Sequence, residues 1–540
     1  MVVAESMTPD DDERAMQALR ATTTAREDAR YARTTLDSLP MEIVQEILAR
    51  RVRDDGARGT TTAAALRCVS RTFRDAIERE PAMFYEEFDI SYGFCAATDA
   101  KMRAYAKKNV FGGVRRLNLS GCGKLTDATL RLLGESCESL ESVVFSGGSF
   151  TKSAMIAFAE QRPGLAAIKI DLSSPKMTPA DVLEVFEYFI ARNCDTLRSV
   201  SCGREAPYSP HERRAFSTRA VRLFETIRRC GELRSLDLTN CGEDVRFPLF
   251  SMQRALPHLQ ELKLNHFGGE SGWRIVGDIG EDFEHTCWKD LRVLEIAVSM
   301  ETTSVGHRYG NSNVNDETMI SMLYGSIESI EILDLTGCTH IGDWRNLVWD
   351  RLPTRLKTLR CARTPISSDD GAVAHILAHL CPALEVLELA DVGANARFVT
   401  DAAFEQLFAH EGPDFPLRVL RVPGSGVTTS TIKHLVSGRH GRFPNLRTID
   451  LASCRSLPRE LRRISLDTFP RDNVSALRRA LAADAAADAD ADPDAADATT
   501  TTTDDVIFVA DLRDRAASAK RPRAARGGSL SRARRPKPRA

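Results

Sequence analysis

The stretch "VRRLNLSGCGKLTDATLRLLGESCESLESVVF", residues 114–145, is the key to the architecture. It places a Gly-Cys-Gly-Lys run directly after an apolar segment and holds two cysteines. As a phosphate loop it fails. That loop has a glycine five residues ahead of its Gly-Lys pair and a Ser or Thr after the lysine, whereas Asn118 and Leu125 stand in those places. What the stretch carries instead is a spacing, L-x-x-L-x-L-x-x-C/N/S. An amphipathic "DATLRLLGES" comes next, with Leu130 and Leu133 at helical intervals.

The same spacing recurs at Val114, Leu140, Leu165, Leu197, Leu233, Leu259, Leu291, Ile330, Leu356, Leu384, Leu417 and Leu446. That makes about twelve copies, in keeping with a leucine-rich unit of roughly 20 to 29 residues that takes insertions. One strand plus one helix cannot close a core, but stacked units share one. The expected fold is therefore α/β, a solenoid with short parallel strands on its concave face and helices outside.

The cysteines fall into that register. Cys122, Cys241, Cys338 and Cys454 each come after the last strand leucine by the same step, Cys137, Cys194, Cys230 and Cys381 precede the first, and Cys202 and Cys361 replace the third. Zinc needs four ligands converging in one place, and thiols spread one position per rung do not supply them; a buried free cysteine acts as a small hydrophobe. We expect no metal and no cofactor. His375 and His379 stand four apart in "HILAHLCP", but read as ordinary helix residues, and no catalytic constellation is present, so the chain is not expected to be an enzyme.

Bulk composition agrees. The chain has 540 residues, 43% of them hydrophobic and 27% charged, with a net charge of -2, which fits a large folded protein. No apolar run approaches the roughly 20 residues needed to span a bilayer, and the acidic start "MVVAESMTPDDDERAM" is no signal peptide. Thirteen scattered cysteines suggest reduced thiols in the nucleus or cytoplasm.

This spacing resembles the cysteine-containing subclass of leucine-rich repeats, carried most fully by "CPALEVLELADV" (Cys381 to Val392) and "LNLSGCGKLTDATL" (Leu117 to Leu130). The likeness covers roughly 114–465. The segments 203–232 and 297–329 are longer than the repeat requires.

Ahead of the repeats, 36–85 reads as paired helices. Asp37 or Ser38 caps the first, with Pro40 in its first turn and Ile43, Ile47 and Leu48 as its apolar face; Thr60 to Thr62 cap the second, with Leu66, Val69, Phe73 and Ile77 at helical intervals. Taken alone, the pair is a cap for the end of the array. The elements "LPMEIVQEIL" and "LRCVSRTF" also resemble an F-box, the helical module that docks on the adaptor subunit of a cullin-based SCF ubiquitin ligase. The resemblance implies that Leu39, Pro40, Ile43, Ile47, Leu66, Val69 and Phe73 contact the adaptor, and through it a cullin. Two departures stand out: a long charged loop, "RRVRDDGARGTTT", and Phe84 or Tyr85 where the module usually has tryptophan. The implied organisation is a flexible segment at 1–35, the F-box at 36–85, a linker or N-terminal cap at 86–113, the repeats at 114–465 and a disordered tail at 466–540.

Together the two resemblances imply a noncatalytic receptor that holds a protein target for ubiquitination. The alternatives are a leucine-rich scaffold whose helices only cap the array, or a small-molecule receptor. The outward strand position runs through Lys169, Asp237, Lys263, Glu295, Asp334, Arg360, Glu388 and Arg421, the expected substrate contacts. Its mixed sign argues against a nucleic-acid stripe. A neighbouring position is more basic (Arg115, Arg198, Arg234, Arg292, Lys357, Arg418 and Arg447), which a solvated strand face explains. The polar insertion from Ser299 to Glu317 reads either as a projection over one face that helps to choose the target or as a disordered insertion.

From Asp484 to Leu512 the tail holds aspartates and no Lys or Arg, whereas Arg513 to Ala540 is rich in both. Such composition does not repay ordering. Within it Val506, Ile507, Phe508 and Val509, flanked by aspartates, resemble a SUMO-interacting motif, which implies SUMO as a partner. The basic end reads as a nuclear localisation signal or a nonspecific nucleic-acid-binding arm, of which nuclear entry is the more economical.

Overall fold

The structure is a computed structural model that describes residues 39–491 except 56–58, 92–96, 172–173, 204–207, 243–244, 268–273, 276–286, 299–313, 342–352, 369, 378–381, 390–398, 410–413, 437–442 and 465–471. It divides at residue 480 into two units, and the solenoid belongs to the first. Among the described residues no helix is long and apolar enough to cross a membrane.

The repeats form a leucine-rich-repeat solenoid. Its strands are β1 (Glu87–Asp89), β2 (Arg116–Asn118), β3 (Ser142–Phe145), β4 (Ala167–Ile170), β5 (Ser199–Ser201), β6 (Ser235–Asp237), β7 (Arg246–Phe247), β8 (Glu261–Lys263), β9 (Arg274–Ile275), β10 (Val293–Glu295), β11 (Ile332–Asp334), β12 (Thr358–Arg360), β13 (Val386–Glu388), β14 (Val419–Arg421) and β15 (Thr448–Asp450). All but β7 and β9, which pair with each other, join one parallel sheet in chain order. The central leucines pair rung to rung, Leu236 with Leu262 and Leu333 with Leu359, and are buried.

The Gly-Cys pair at 121 and 122 marks a turn that recurs along the array. Two residues after the last inward leucine or valine of a strand, the backbone enters the left-handed region at Gly121, Asn240, Gly337, Gly424 and Ser453. Glycine and asparagine reach that region at least cost. The turn aims an amide at the next rung: Gly121 donates to the Ser146 carbonyl at 2.8 Å and Gly337 to that of Ala362 at 2.9 Å. A Cβ on Gly337 would also stand 2.7 Å from the Val298 carbonyl oxygen. The next residue, cysteine in four rungs, points inward and donates to the preceding rung: Cys122 to Ile90 O at 3.9 Å, Cys241 to Cys202 O at 3.5 Å, Cys338 to Ile296 O at 3.7 Å and Cys454 to Val422 O at 3.2 Å. Burial pushes the Cys137 and Cys230 thiols up to about 12 and raises those of Cys241 and Cys338 as well.

A second link runs along the helix starts. Thr126 caps α5 (Asp127–Ser136), and its amide and hydroxyl donate to Asp99 of the preceding rung at 3.0 and 2.6 Å; Thr129 adds its hydroxyl. Asp127 in turn accepts from Thr151, Asp370 from Thr400, and Asp401 from Thr428 and Thr431. Burial disfavours the charge on Asp99 and Asp401, but these hydrogen bonds outweigh it and hold both carboxyls below the usual carboxylate range. The Thr-Asp pair of the repeat is thus a stitch between neighbours.

Three sequence expectations change. The array begins one rung early, since 86–113, expected as linker or cap, supplies β1 and α4 (Asp99–Lys107). At the other end, part of the segment expected as disordered tail is helical: α15 runs Val474–Ala491, with Val474 and Leu477 buried. The pair of N-terminal helices is a trio: α1 (Met41–Asp54), α2 (Gly59–Leu66) and α3 (Arg71–Arg79). The second breaks because the Ser70 side chain accepts from the Phe73 amide at 3.1 Å and starts a new helix there. The charged loop shrinks correspondingly, because α1 continues to Asp54.

Both edges of the sheet are closed by a side chain. At β1, the Thr60 hydroxyl donates to Glu87 O at 3.1 Å and accepts from the Asp89 amide at 2.9 Å, so Thr60 lies inside α2 and is no cap. At β15, the Asn473 side chain accepts from the Ile449 amide at 2.7 Å and donates to the Ile449 carbonyl. An open parallel edge would otherwise expose its backbone groups.

Candidate functional site

The N-terminal helices bury one apolar face and leave other apolar residues exposed. On the inward face Val44, Leu48, Ala49 and Val52 of α1, Ala76 and Ile77 of α3, and Phe84 and Tyr85 beyond it are buried. The Gln45 amide locks α1 to α3 by donating to Ala76 O at 3.0 Å. Leu48, expected to share a face with Ile43 and Ile47, belongs to this inner set.

Other apolar residues of the unit are exposed. Ile43 is 47% exposed and Val69 66%, the latter in the turn between α2 and α3. Pro40 is exposed, and Leu39, Ile47, Leu66 and Phe73 are half-buried. Pro40 sits at the start of α1 without a side-chain cap, and the expected caps Asp37 and Ser38 lie outside the described residues. All seven predicted adaptor contacts therefore belong to one three-helix unit, with exposed apolar surface that its own packing does not use.

The eight predicted substrate contacts form one row across the sheet. Register sets Lys169 beside Ser201, then Asp237, Lys263, Glu295, Asp334, Arg360, Glu388 and Arg421 in turn. The row divides in two. Over β11–β14 the charges neutralise one another: Arg360 lies 3.5 Å from Asp334 and 3.4 Å from Glu388, and Arg421 lies 2.9 Å from Glu388. Burial works against the charge on Arg360, but the carboxylates of Glu388, Asp334 and Glu295 outweigh it and hold the guanidinium above its ordinary range. Beside this row run Lys357–Glu331 at 2.8 Å and Arg418–Glu385 at 3.4 Å.

Over β3–β8 the surface dips into a groove of about 280 Å3. Its floor is low because the position before the central apolar residue of each strand holds Ser142, Ala167, Ser199 and Ser235. Two carboxylates in it are already engaged: Asp237 accepts from the Thr239 amide and the Ser201 hydroxyl, both at 3.0 Å, and Glu261 from Ser235 at 3.0 Å. Asp237 also rests against Gly203, where a Cβ would meet its Oδ1 at 2.1 Å. Lys169 and Lys263 line the groove and have no ion-pair partner among the described residues. Neither have Arg198 and Arg234, which precede β5 and β6. Glu295 accepts from Asn265 at 2.8 Å.

Sequence reasoning missed this floor, and aligning the residue before each central strand leucine would have found it. On the later rungs the same position turns apolar: Val293, Ile332, Val386 and Val419 are half-buried and outward on β10, β11, β13 and β14.

Among the described residues no group of three or more His, Cys, Asp or Glu is placed to hold a metal ion. His375 ends α11 (Asp370–His375); His379 and Cys381 lie outside the described residues, as do Val506 to Val509 and the basic end. So does most of the Ser299 to Glu317 insertion. Its last residues belong to a rung instead, with Val314 buried and Asn315 capping α10 (Asp316–Leu323).

No family model matches the sequence, and no curated protein does. Among solved structures the chain is similar to one described as the crystal structure of the Rad7 and Elc1 complex in yeast. The identity is 15% and the TM-score 0.38, and the match covers 79% of this chain and 88% of that one.

Proposed function

We propose that this protein is a noncatalytic substrate receptor of an SCF-type ubiquitin ligase. Its N-terminal helices dock on the ligase adaptor, and through it a cullin, while the strand face holds a protein target. Ubiquitin transfer is then accelerated by proximity, with the chemistry done by its partners.

One observation carries the reading. Helices serving only as a cap need a single apolar face, and here that face is filled by Val44, Leu48, Val52 and Ile77. Ile43 and Val69 are exposed in addition, two of the four large apolar side chains exposed among the described residues, and both fall within the elements that resemble the docking module. Thr60 meanwhile fixes the module to β1, which would hold target and adaptor in a defined relation. The reading puts the protein in the nucleus, the cytoplasm or both, and keeps SUMO as a partner of Val506 to Val509.

Affinity capture of tagged protein from cells tests it, comparing wild type with Leu39→Ala plus Pro40→Ala. The adaptor and a cullin are expected with wild type and lost with the variant. Their absence from the wild-type capture favours a scaffold.

A further inference from the structure

Row by row, the strand face changes character at β8–β10, and each half leaves a different surface unsatisfied. Over β4–β8 the cations without an ion-pair partner among the described residues are Lys169 and Lys263, which line a floor of small residues, and exposed Arg198 and Arg234, which precede β5 and β6 and do not line it. Over β11–β14 the charges are already paired laterally, and from β10 to β14 what remains is the row Val293, Ile332, Val386 and Val419, apolar except for Thr358 on β12.

We propose that this face reads one extended segment of a partner protein, with clustered acidic side chains over β4–β8 and apolar side chains over β10–β14. The proposal rests on the substrate-receptor reading and names the chemistry of what the receptor holds.

The placement of the cations selects spread carboxylates over a single phosphate. Lys169 and Lys263 stand on β4 and β8, three strand spacings or roughly 14 Å apart, with Arg198 and Arg234 on the two rungs between. A phosphate dianion is held by donors converging on one point, whereas a row of this width suits several anions along an extended chain. Asp237 on β6 sets a carboxylate between the two lysines, so the acids of the segment fit beside Lys169 and Lys263 and not between them. The apolar half then supplies the burial that rim charges do not, since exposed ion pairs contribute mainly to encounter rate and orientation. From Lys263 on β8 to Ile332 on β11 is two strand spacings, about 10 Å, or about three residues of extended chain. The recognised segment should therefore carry acids and apolar residues separated by about that number.

A selection of random linear 20-residue segments by mRNA display against the full chain tests this. Recovered segments are expected to hold two or more Asp or Glu, with β-branched or aromatic residues on one side of them and always in the same order. Binding of a recovered segment to Lys169→Glu plus Lys263→Glu should be about tenfold weaker at low salt, with thermal unfolding unchanged, and repeating the selection on that variant should lose the acidic half only. Recovery of no segment, of segments without acidic bias, or of an acidic bias that survives the reversal overturns the proposal. The selection uses no adaptor, so its failure leaves docking by the N-terminal helices standing, and failure of docking leaves the selection result standing.

Discussion

Replacing Asp401 by alanine should loosen one rung without unfolding the array. Asp401 accepts from the Thr428 amide at 2.8 Å, from the Thr428 hydroxyl at 2.6 Å and from the Thr431 hydroxyl. The first two donors belong to a half-buried residue, so water replaces the lost acceptor at small net cost. Thr431 is 2% exposed, and a buried hydroxyl left without its acceptor costs about 1–3 kcal/mol. A local loss of about 2 kcal/mol corresponds to about 30-fold faster exchange wherever opening is local. Hydrogen–deuterium exchange read by mass spectrometry on peptides from α13 (Thr429–Val436) should show it, while peptides covering β4 stay unchanged because solenoid rungs couple mainly to neighbours. Adding Thr431→Val to Asp401→Ala should restore part of the protection, since no hydroxyl is then stranded. Protection of α13 within about threefold of wild type would show that the stitch carries no such energy, and a uniform change along the chain would show that the rungs are not coupled locally.

The same links set two more outcomes. In native protein, N-ethylmaleimide should modify exposed Cys68 readily and leave Cys122, Cys241, Cys338 and Cys454 intact until denaturant is added, as mass spectrometry of the alkylated peptides would report. Asp99 and Asp401 have folded pKa values below their unfolded ones of about 3.9. Their contribution is thus present above that pH and lost as pH falls through the folded values; melting temperature should drop below about pH 4, and less so in Asp99→Asn plus Asp401→Asn.

The inward half of the fold was legible because leucine spacing repeats in the chain itself. Leu117, Leu236, Leu333 and Leu420 fell on the sheet as the pattern required. The first rung escaped that pattern because Tyr85, Phe88 and Ile90 hold its three positions, and a search for leucine passes over aromatics at the same spacing. The split of the second N-terminal helix was hidden because a continuous run of apolar residues at helical intervals, Leu66 to Ile77, masks a serine cap between them. α15 was read as tail because its alanine-rich sequence offers little to bury; what fixes its start is Asn473, completely buried against the edge of β15. On the strand face the alternation of sign was visible residue by residue. Which charges are spent on neighbours, as Arg360 is, and which are not, as Lys169 is, depends on lateral pairs that only register supplies.

Docking by the N-terminal helices can be measured outright by titrating purified SCF adaptor subunit into the full chain and recording the heat by isothermal calorimetry. Exposed Ile43 on α1 and Val69 in the turn before α3 predict saturable binding, abolished by Ile43→Asp plus Val69→Asp with no change in melting temperature, because neither side chain is buried. A wild-type chain that does not bind, or a double variant that binds undiminished, would mean that these helices only cap the solenoid.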